Sequence, residues 1–410
     1  MRVELALPNG DRQRLFRDYL NAALRKRTAS YTGSAEFTGD GNFQSSLVGL
    51  FPVGTTSVQL NWIIASSKEG ELLHLDVSCP TADVSESTWA TAVYAFVNSV
   101  LAATLADRRS PFFRRSLFYY IGVQLDGEYW LPGCRFAPAF PDDPQPHLIN
   151  AERPVVFDMT VQAIDDQDAS VIAGELSRRY SARLSLLLDV GFYAQDHAQR
   201  WAFPTTDGRP TGQSVRCFLG FSHPSLRATQ MPKKGVVCPL GAYRGSLARW
   251  YQVAGELLSL PPQARRILCG VDSASPAVTE AFDRGARLYQ VATVIGAIYP
   301  SVALAYRVAA VEAMSKCDSK SGFSEFMRRY VTSTSELDGV IDYLYGTVRS
   351  GHFHSGEFPM GEFAPQKFFD PLMDSESIAR TDLRFLAHKL TREAIVNWLY
   401  SIVPTISEDV

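Results

Sequence analysis

The sequence predicts an α+β protein: an N-terminal mixed α/β region of antiparallel strands with helices, followed by a C-terminal all-α bundle. Three observations predict it. Over residues 1–245, short apolar runs with strand-like alternation are separated by glycine and proline turns. Long helical patterns break into that series at intervals. From Ser246 onward the strand signal is almost gone, and apolar residues recur at i, i+3, i+4 and i+7 in segments joined by short loops, as in a bundle. At 410 residues, 46% of them apolar, the chain is too long for one ordinary core. The expected cuts are 1-145 for a first α/β domain, 146-270 for a second α/β part with a helical connector, and 271-405 for the bundle.

The elements follow in order. Asp11 to Lys26 reads as a helix, with Leu15, Tyr19, Ala22 and Ala23 on one face. Ser45 to Phe51, Thr56 to Ser66 and Leu72 to Ser78 read as strands, with Gly39-Asp40-Gly41 and Lys68-Glu69-Gly70 as turns. Glu86 to Ala106 is an apolar helix. Arg108-Arg109-Ser110-Pro111-Phe112-Phe113-Arg114-Arg115 interleaves Arg108, Arg109, Arg114 and Arg115 with two rings, the composition of a single-stranded nucleic acid platform; the plainer alternative is a solvated loop leading into a strand at Leu117 to Gln124. Strands are expected at Tyr129 to Phe136 and Pro154 to Ala163, around a proline-rich link at Phe140 to Pro146. A long helix at Asp168 to Val190 precedes strands at Val215 to Phe221 and Gly235 to Pro239. In the bundle, Pro261-Pro262 opens a short helix. Ser275-Pro276 gives a cap with proline at the first helical position. The helices are then Pro276 to Ile298, Ser301 to Lys316, Gly322 to Val331, Ser335 to Ser350 and Glu376 to Val403.

Chemistry concentrates in Arg349-Ser350-Gly351-His352-Phe353-His354-Ser355-Gly356. Leu337, Val340, Ile341, Leu344, Tyr345 and Val348 make the apolar face of a helix that delivers Arg349 at the edge of its buried stripe, and Gly351 and Gly356 then weaken helical order. Arg349 is permanently charged and presents a planar fork suited to phosphate oxygens. A histidine titrates near neutrality and can take a proton from a ribose hydroxyl or give one to a leaving oxygen. On an α-helix, His352 lies about 60° from Arg349 and His354 about 140° away, so an unbroken helix favours His352. Cations at a helix C-terminus also serve as simple dipole and capping partners.

Read as RSGHFHSG, Arg349-x4-His354 resembles the Arg-x(4–6)-His signature of the HEPN superfamily, specifically its Apea-like or abortive-infection-like branch. The segment AYRVAAVEAM, Ala305 to Met314, resembles that family's earlier helix, which often carries a glutamate where this chain has Glu312. The resemblance covers roughly the last third of the chain. Ser355 is a departure, since it separates His354 from Gly356 where the family usually has His-Gly. The resemblance implies a HEPN-like bundle and a metal-independent endoribonuclease needing no cofactor. Arg349 and His354 would be catalytic, and His352, Ser350 and Glu312 auxiliary. It also implies a homodimer through the bundle, an RNA substrate and a role in antiphage, abortive-infection or toxin systems. The N-terminal region would then be a sensor or regulator meeting a regulatory protein or phage trigger. The alternative is a non-catalytic scaffold that binds nucleic acid or nucleotide and uses the bundle to dimerise.

Charge and cysteine usage narrow the partners. Net charge is −3, and residues 271–410 hold 13 Lys and Arg against 18 Asp and Glu, so the bundle is acidic. Such a surface excludes a grip on long nucleic acid and leaves short, arginine-based contacts. Six cysteines stand far apart without a C-x-x-C pair, which predicts reduced thiols and a cytoplasmic setting. Met1 to Pro8 has no apolar run suited to a signal peptide. The uncharged stretch Val291 to Tyr306 is broken by Pro300, so no membrane partner is expected.

Overall fold

The computed structural model describes residues 1–3, 10–28, 31–38, 41–68, 71–80, 85–141, 145–194, 199–202, 205–206, 209–210, 215–218, 228–234, 255–318, 322–363 and 375–403. The chain divides into two compact units, Met1–Phe112 with Val161–Ile172, and Phe113–Thr160 with Ala173–Val410. The class is α+β, with antiparallel sheets in the N-terminal part and helices in the C-terminal part.

In the first unit, β1 (Arg2–Val3), β2 (Tyr31–Phe37), β3 (Phe43–Val53), β4 (Thr56–Ser66) and β5 (Leu72–Ser78) form one sheet in the order β1-β5-β4-β3-β2, antiparallel throughout. Along β4, Val58, Leu60, Trp62 and Ile64 are buried and alternate with more exposed residues. This is the period of a strand with one face in a core. Helices α1 (Gly10–Arg27) and α2 (Glu86–Ala106) supply the other half of that core through Phe16, Leu20, Val93, Phe96 and Val97. Phe51, Trp62 and Phe96 meet there at centroid distances of 5.2–5.6 Å. β2 is absent from the sequence reading because residues 32–37 are exposed on the sheet edge, with no buried alternation to betray the strand.

Helix α2 corrects the choice of Val291 to Tyr306 as the stretch to weigh against a membrane. By length and composition it is α2, with mean hydropathy 1.4, that could cross a bilayer. Its Trp89, Val93, Phe96, Val97 and Val100 are instead buried against the sheet, so within the unit it is a core helix.

The second unit begins with β6 (Ser110–Ile121), β7 (Tyr129–Leu131), β8 (Cys134–Pro138), β9 (Glu152–Ala163) and β10 (Tyr193–Ala194), in the order β10-β6-β9-β8-β7. That pairing overturns the cut at residue 145: β6 and β9 are neighbours in one sheet, so a boundary between them would split it. The arginine-rich run is also not a loop, since Arg114 and Arg115 lie inside β6. Consecutive strand residues point to opposite faces, which prevents these two from sharing one platform. Asp158 on β9 is fully buried and takes Arg115 Nε at 2.6 Å and Nη2 at 2.8 Å. Arg135, paired across the ladder from Asp158, adds Nη1 at 2.7 Å and gives its Nε to Glu128 at 2.6 Å. The other face carries Phe118, Phe136 and Phe157, ring against ring at 5.0–5.2 Å. Short strands β11 (Gln199–Ala202), β12 (Thr205–Thr206), β13 (Arg209–Pro210) and β14 (Val215–Phe218) pair as β11 with β14 and β12 with β13. The expected strand at Gly235 to Pro239, and parts of the turns at residues 39–41 and 68–70 and of the link at residues 140–146, lie outside the described residues.

The helices of this unit are α3 (Asp166–Leu188), α4 (Pro262–Asp272), α5 (Pro276–Ile295), α6 (Pro300–Ser315), α7 (Phe323–Tyr330), α8 (Leu337–Asp342) and α9 (Ser375–Ile402). Ser275 caps α5 through the Val278 N–H, as its position before Pro276 predicts. α6 is the central helix, in contact with α5, α7, α9 and the segment after α8, and it is built from alanines and valines that let neighbours approach. That segment, Tyr343–Ser355, is a π-helix. The expected α-helix to Ser350 thus stops at Asp342, and the turn widens from there.

Asp189 follows α3 at φ +56°, a region that Asp tolerates better than most residues. Its carboxylate takes Tyr289 Oη–H of α5 at 2.6 Å and His388 Nε2 of α9 at 2.9 Å. Burial pushes the Asp189 pKa up, but His388, Arg392 and the Tyr289 hydroxyl outweigh it and hold the group ionised below the usual range. For His388, burial first and the Arg307 charge second lower the pKa beneath that of a free imidazole, against the pull of Asp189. At neutral pH His388 is therefore the neutral ring, donating from Nε2.

Both shifts are depressions, so both stabilise the fold at higher pH. Stability is expected to fall as pH drops below about 6.5, where the unfolded histidine takes a proton that folded His388 refuses, and again below about 3.9 for Asp189. Each group contributes at most about 1.4 kcal/mol per pH unit. Denaturant titrations from pH 8 to 3 on the wild type and His388→Gln would show it. A difference curve without slope between pH 7 and 5 contradicts the assignment.

Candidate functional site

The candidate site rests on α6 and the π-helix packed against it. Glu312 projects from α6 toward Arg349, whose Nε lies 3.3 Å from Glu312 Oε1 and 3.4 Å from Oε2. The guanidinium also stands over the Tyr345 ring, 5.4 Å from its centroid. Neither partner consumes the Nη groups, and the Arg349 side chain keeps 32% exposure. Glu312 thus fixes one edge of the fork and leaves the other toward solvent.

The π-helix changes the angular relation between Arg349 and the two histidines. Its hydrogen bonds run i→i+5, so a residue five positions on returns over the first, whereas on an α-helix it sits about 140° away. Arg349 and His354 are five apart. The widened turn brings that pair to one side of the backbone and carries His352 away, reversing the ranking an α-helix gives. Gly346 and Gly351, poor α-formers, lie within it.

His352 is engaged locally. Its Nδ1 lies 3.2 Å from the Glu357 carbonyl oxygen, and its ring meets Phe353 and Phe358 edge-on at 5.3 and 5.2 Å. His354 is exposed, and no described residue hydrogen-bonds to it. Ser350 is half-buried beside Arg349 in sequence. The segment ends at Gly356, φ +67°, whose N–H donates to the His352 carbonyl while Glu357 N–H donates to that of Gly351. This is the left-handed closure that glycine permits. Gly356→Ala is expected to cost about 1–2 kcal/mol and to speed amide exchange at residues 352–357. Unchanged exchange there would show that the closure does not hold the segment.

No family model, curated protein or solved structure matches this chain.

The four arginines proposed for RNA differ in what holds them. Arg115 is spent on buried Asp158, and Arg114 donates to the Phe113 carbonyl. Arg109 pairs with Asp107 at 2.9 Å, and Arg108 is exposed. Among the described residues no three His, Cys, Asp or Glu side chains gather as a metal site. In the first unit an open groove of about 320 Å³ lies between α1 and the β2–β4 face, lined by Leu24, Leu47 and Trp62 with Asn21, Arg25 and Ser45.

Sequence reasoning passed over the buried group formed by Asp189, Tyr289, Arg307 and His388. Its members stand far apart along the chain, and no local pattern links them.

Proposed function

We propose that this chain is a metal-independent endoribonuclease of HEPN type, working as a dimer in the cytoplasm as the effector of an antiphage, abortive-infection or toxin system. The observation that carries the reading is the π-helix across Arg-x4-His, since its i→i+5 geometry suits a cation and a base acting on one phosphate. His354 takes the 2′-hydroxyl proton, the 2′-oxygen attacks the adjacent phosphorus, and Arg349 holds the charge that builds on the non-bridging oxygens. The 5′-oxygen leaves with a proton and the other product ends in a 2′,3′-cyclic phosphate. Glu312 orients Arg349, and His352 steadies the turn through Glu357.

A second copy would double the positive charge facing the RNA. Tyr345 and Phe353, both large and substantially exposed on the same π-helix, favour an apolar contact beside the site. The groove of the first unit is suited to a trigger with an apolar body and a polar edge. Incubating the full chain with labelled RNA in EDTA and mapping fragment ends tests the reading. Cyclic phosphate ends support it. Intact RNA favours the scaffold alternative, in which Arg349 only ties the π-helix to α6.

A further inference from the structure

Arg307 of α6 is only 4% exposed, yet its Nε has no hydrogen-bond partner. Among the described residues no carboxylate forms an ion pair with it. Its guanidinium lies over the Tyr289 ring, 5.6 Å from the centroid. Tyr289 is itself held by its hydroxyl on Asp189, and Asp189 also takes His388, so that carboxylate is already committed. A buried, unpaired cation is among the most costly groups a fold can retain.

A second guanidinium shares this region. Arg384 of α9 is half-buried and gives Nη2 to the Gly296 carbonyl at 2.7 Å. Burial, and after it the charge of Arg307, lower its pKa, and the same charge bears on His388. Glu362 partly offsets Arg384, but its carboxylate oxygens accept from Ser301 N–H and Oγ–H at the start of α6. Arg384 stands one turn before His388 on α9, His388 meets the Tyr289 side chain, and Arg307 covers that same ring, so the two guanidiniums converge from different helices while Asp189 and Glu362 are hydrogen-bonded elsewhere. Planar forks with unused N–H groups are the side chains best shaped to grip the oxygens of phosphate.

We infer that Arg307 and Arg384 form a binding site for a small oxyanion of the phosphate type, either free or as the terminal group of a nucleotide, set between α5, α6 and α9. The site is distinct from Arg349 and His354. Arg307 and Glu312 are five residues apart on a regular α-helix, hence about 140° around it. The inference does not depend on the nuclease reading, and its test does not use RNA cleavage.

The test is thermal unfolding of the full chain in increasing inorganic phosphate, with sodium chloride at matched ionic strength as the control and adenosine 5′-monophosphate as a second arm. Binding to the folded state alone raises the Tm with ligand concentration. The expected result is a Tm that climbs with phosphate and not with chloride, and that does not respond to phosphate in Arg307→Met. An equal response to the monophosphate identifies a nucleotide terminus as an accepted source; a response to inorganic phosphate alone identifies a site closed to larger ligands. If Arg307→Met does not fold, Arg384→Met is read the same way. Equal responses to phosphate and chloride in the wild type, or a full phosphate response retained in the variant that folds, overturn the inference.

Discussion

His354→Ala is expected to slow RNA cleavage by about 10²–10⁴-fold, the usual contribution of a positioned acid or base. Arg349→Ala is expected to cost about 10²–10³-fold, the range seen when one group stabilising transition-state charge is removed. Neither change should unfold the protein. His354 is exposed, and Arg349 pairs with Glu312 at 3.3 Å while 32% exposed, a contact of the kind that contributes about 0–1 kcal/mol. Arg349→Lys keeps the charge but loses the fork, so an intermediate rate is expected. His352→Ala separates the histidines: the π-helix assigns it a local role on Glu357, so its loss should be smaller than that of His354→Ala. Single-turnover cleavage on one labelled RNA, with circular dichroism on each variant, would read all four. Wild-type rates in both His354→Ala and Arg349→Ala, with the fold intact, would remove the catalytic assignment.

The parts of the fold that were legible are those in which one face of an element is buried and its neighbours are near in sequence. β4 and β5 match their expected bounds, and α2 does as well, because burial alternates along the strands and one side of the helix is apolar. Harder were elements whose reason for existing lies far away. The run Arg108 to Arg115 reads as a nucleic acid platform or a solvated loop, whereas Arg115 is tied into a strand by Asp158, on a strand reached only after two others. The boundary expected at residue 145 failed for the same reason, since sheet pairing is non-local. At the candidate site, the contact of Glu312 with Arg349 followed from reading the two segments together. The π-helix did not, because α and π turns are built from the same residues and the choice falls to packing against α6. Nothing in the spacing of Asp189, Tyr289, Arg307 and His388 could have assembled them.

Asp158→Ala is expected to produce the largest loss of stability, about 3–5 kcal/mol, the usual effect of removing one member of a buried ion pair. The cost is not the loss of three hydrogen bonds as such. Asp158 is fully buried and receives two from Arg115 and one from Arg135; without it, Arg115, only 12% exposed, keeps its charge and loses the carboxylate that grips it from two N–H groups. Arg135 retains Glu128 at 2.6 Å, so Arg115 is where the penalty falls. That distinction yields a second expectation: in an Arg115→Met background, Asp158→Ala should cost clearly less, since the bidentate pair is already gone. Arg284→Ala is the control. Its exposed partner Glu280 lies one helical turn away, and such pairs contribute about 0.2–0.5 kcal/mol. Because the chain has two compact units, unfolding should be followed by signals from the second, such as exchange of amides in β6, β8 and β9, so that the first does not mask the change. A loss below about 1 kcal/mol for Asp158→Ala would mean that water reaches the network and that the strand is held by its aromatic face alone.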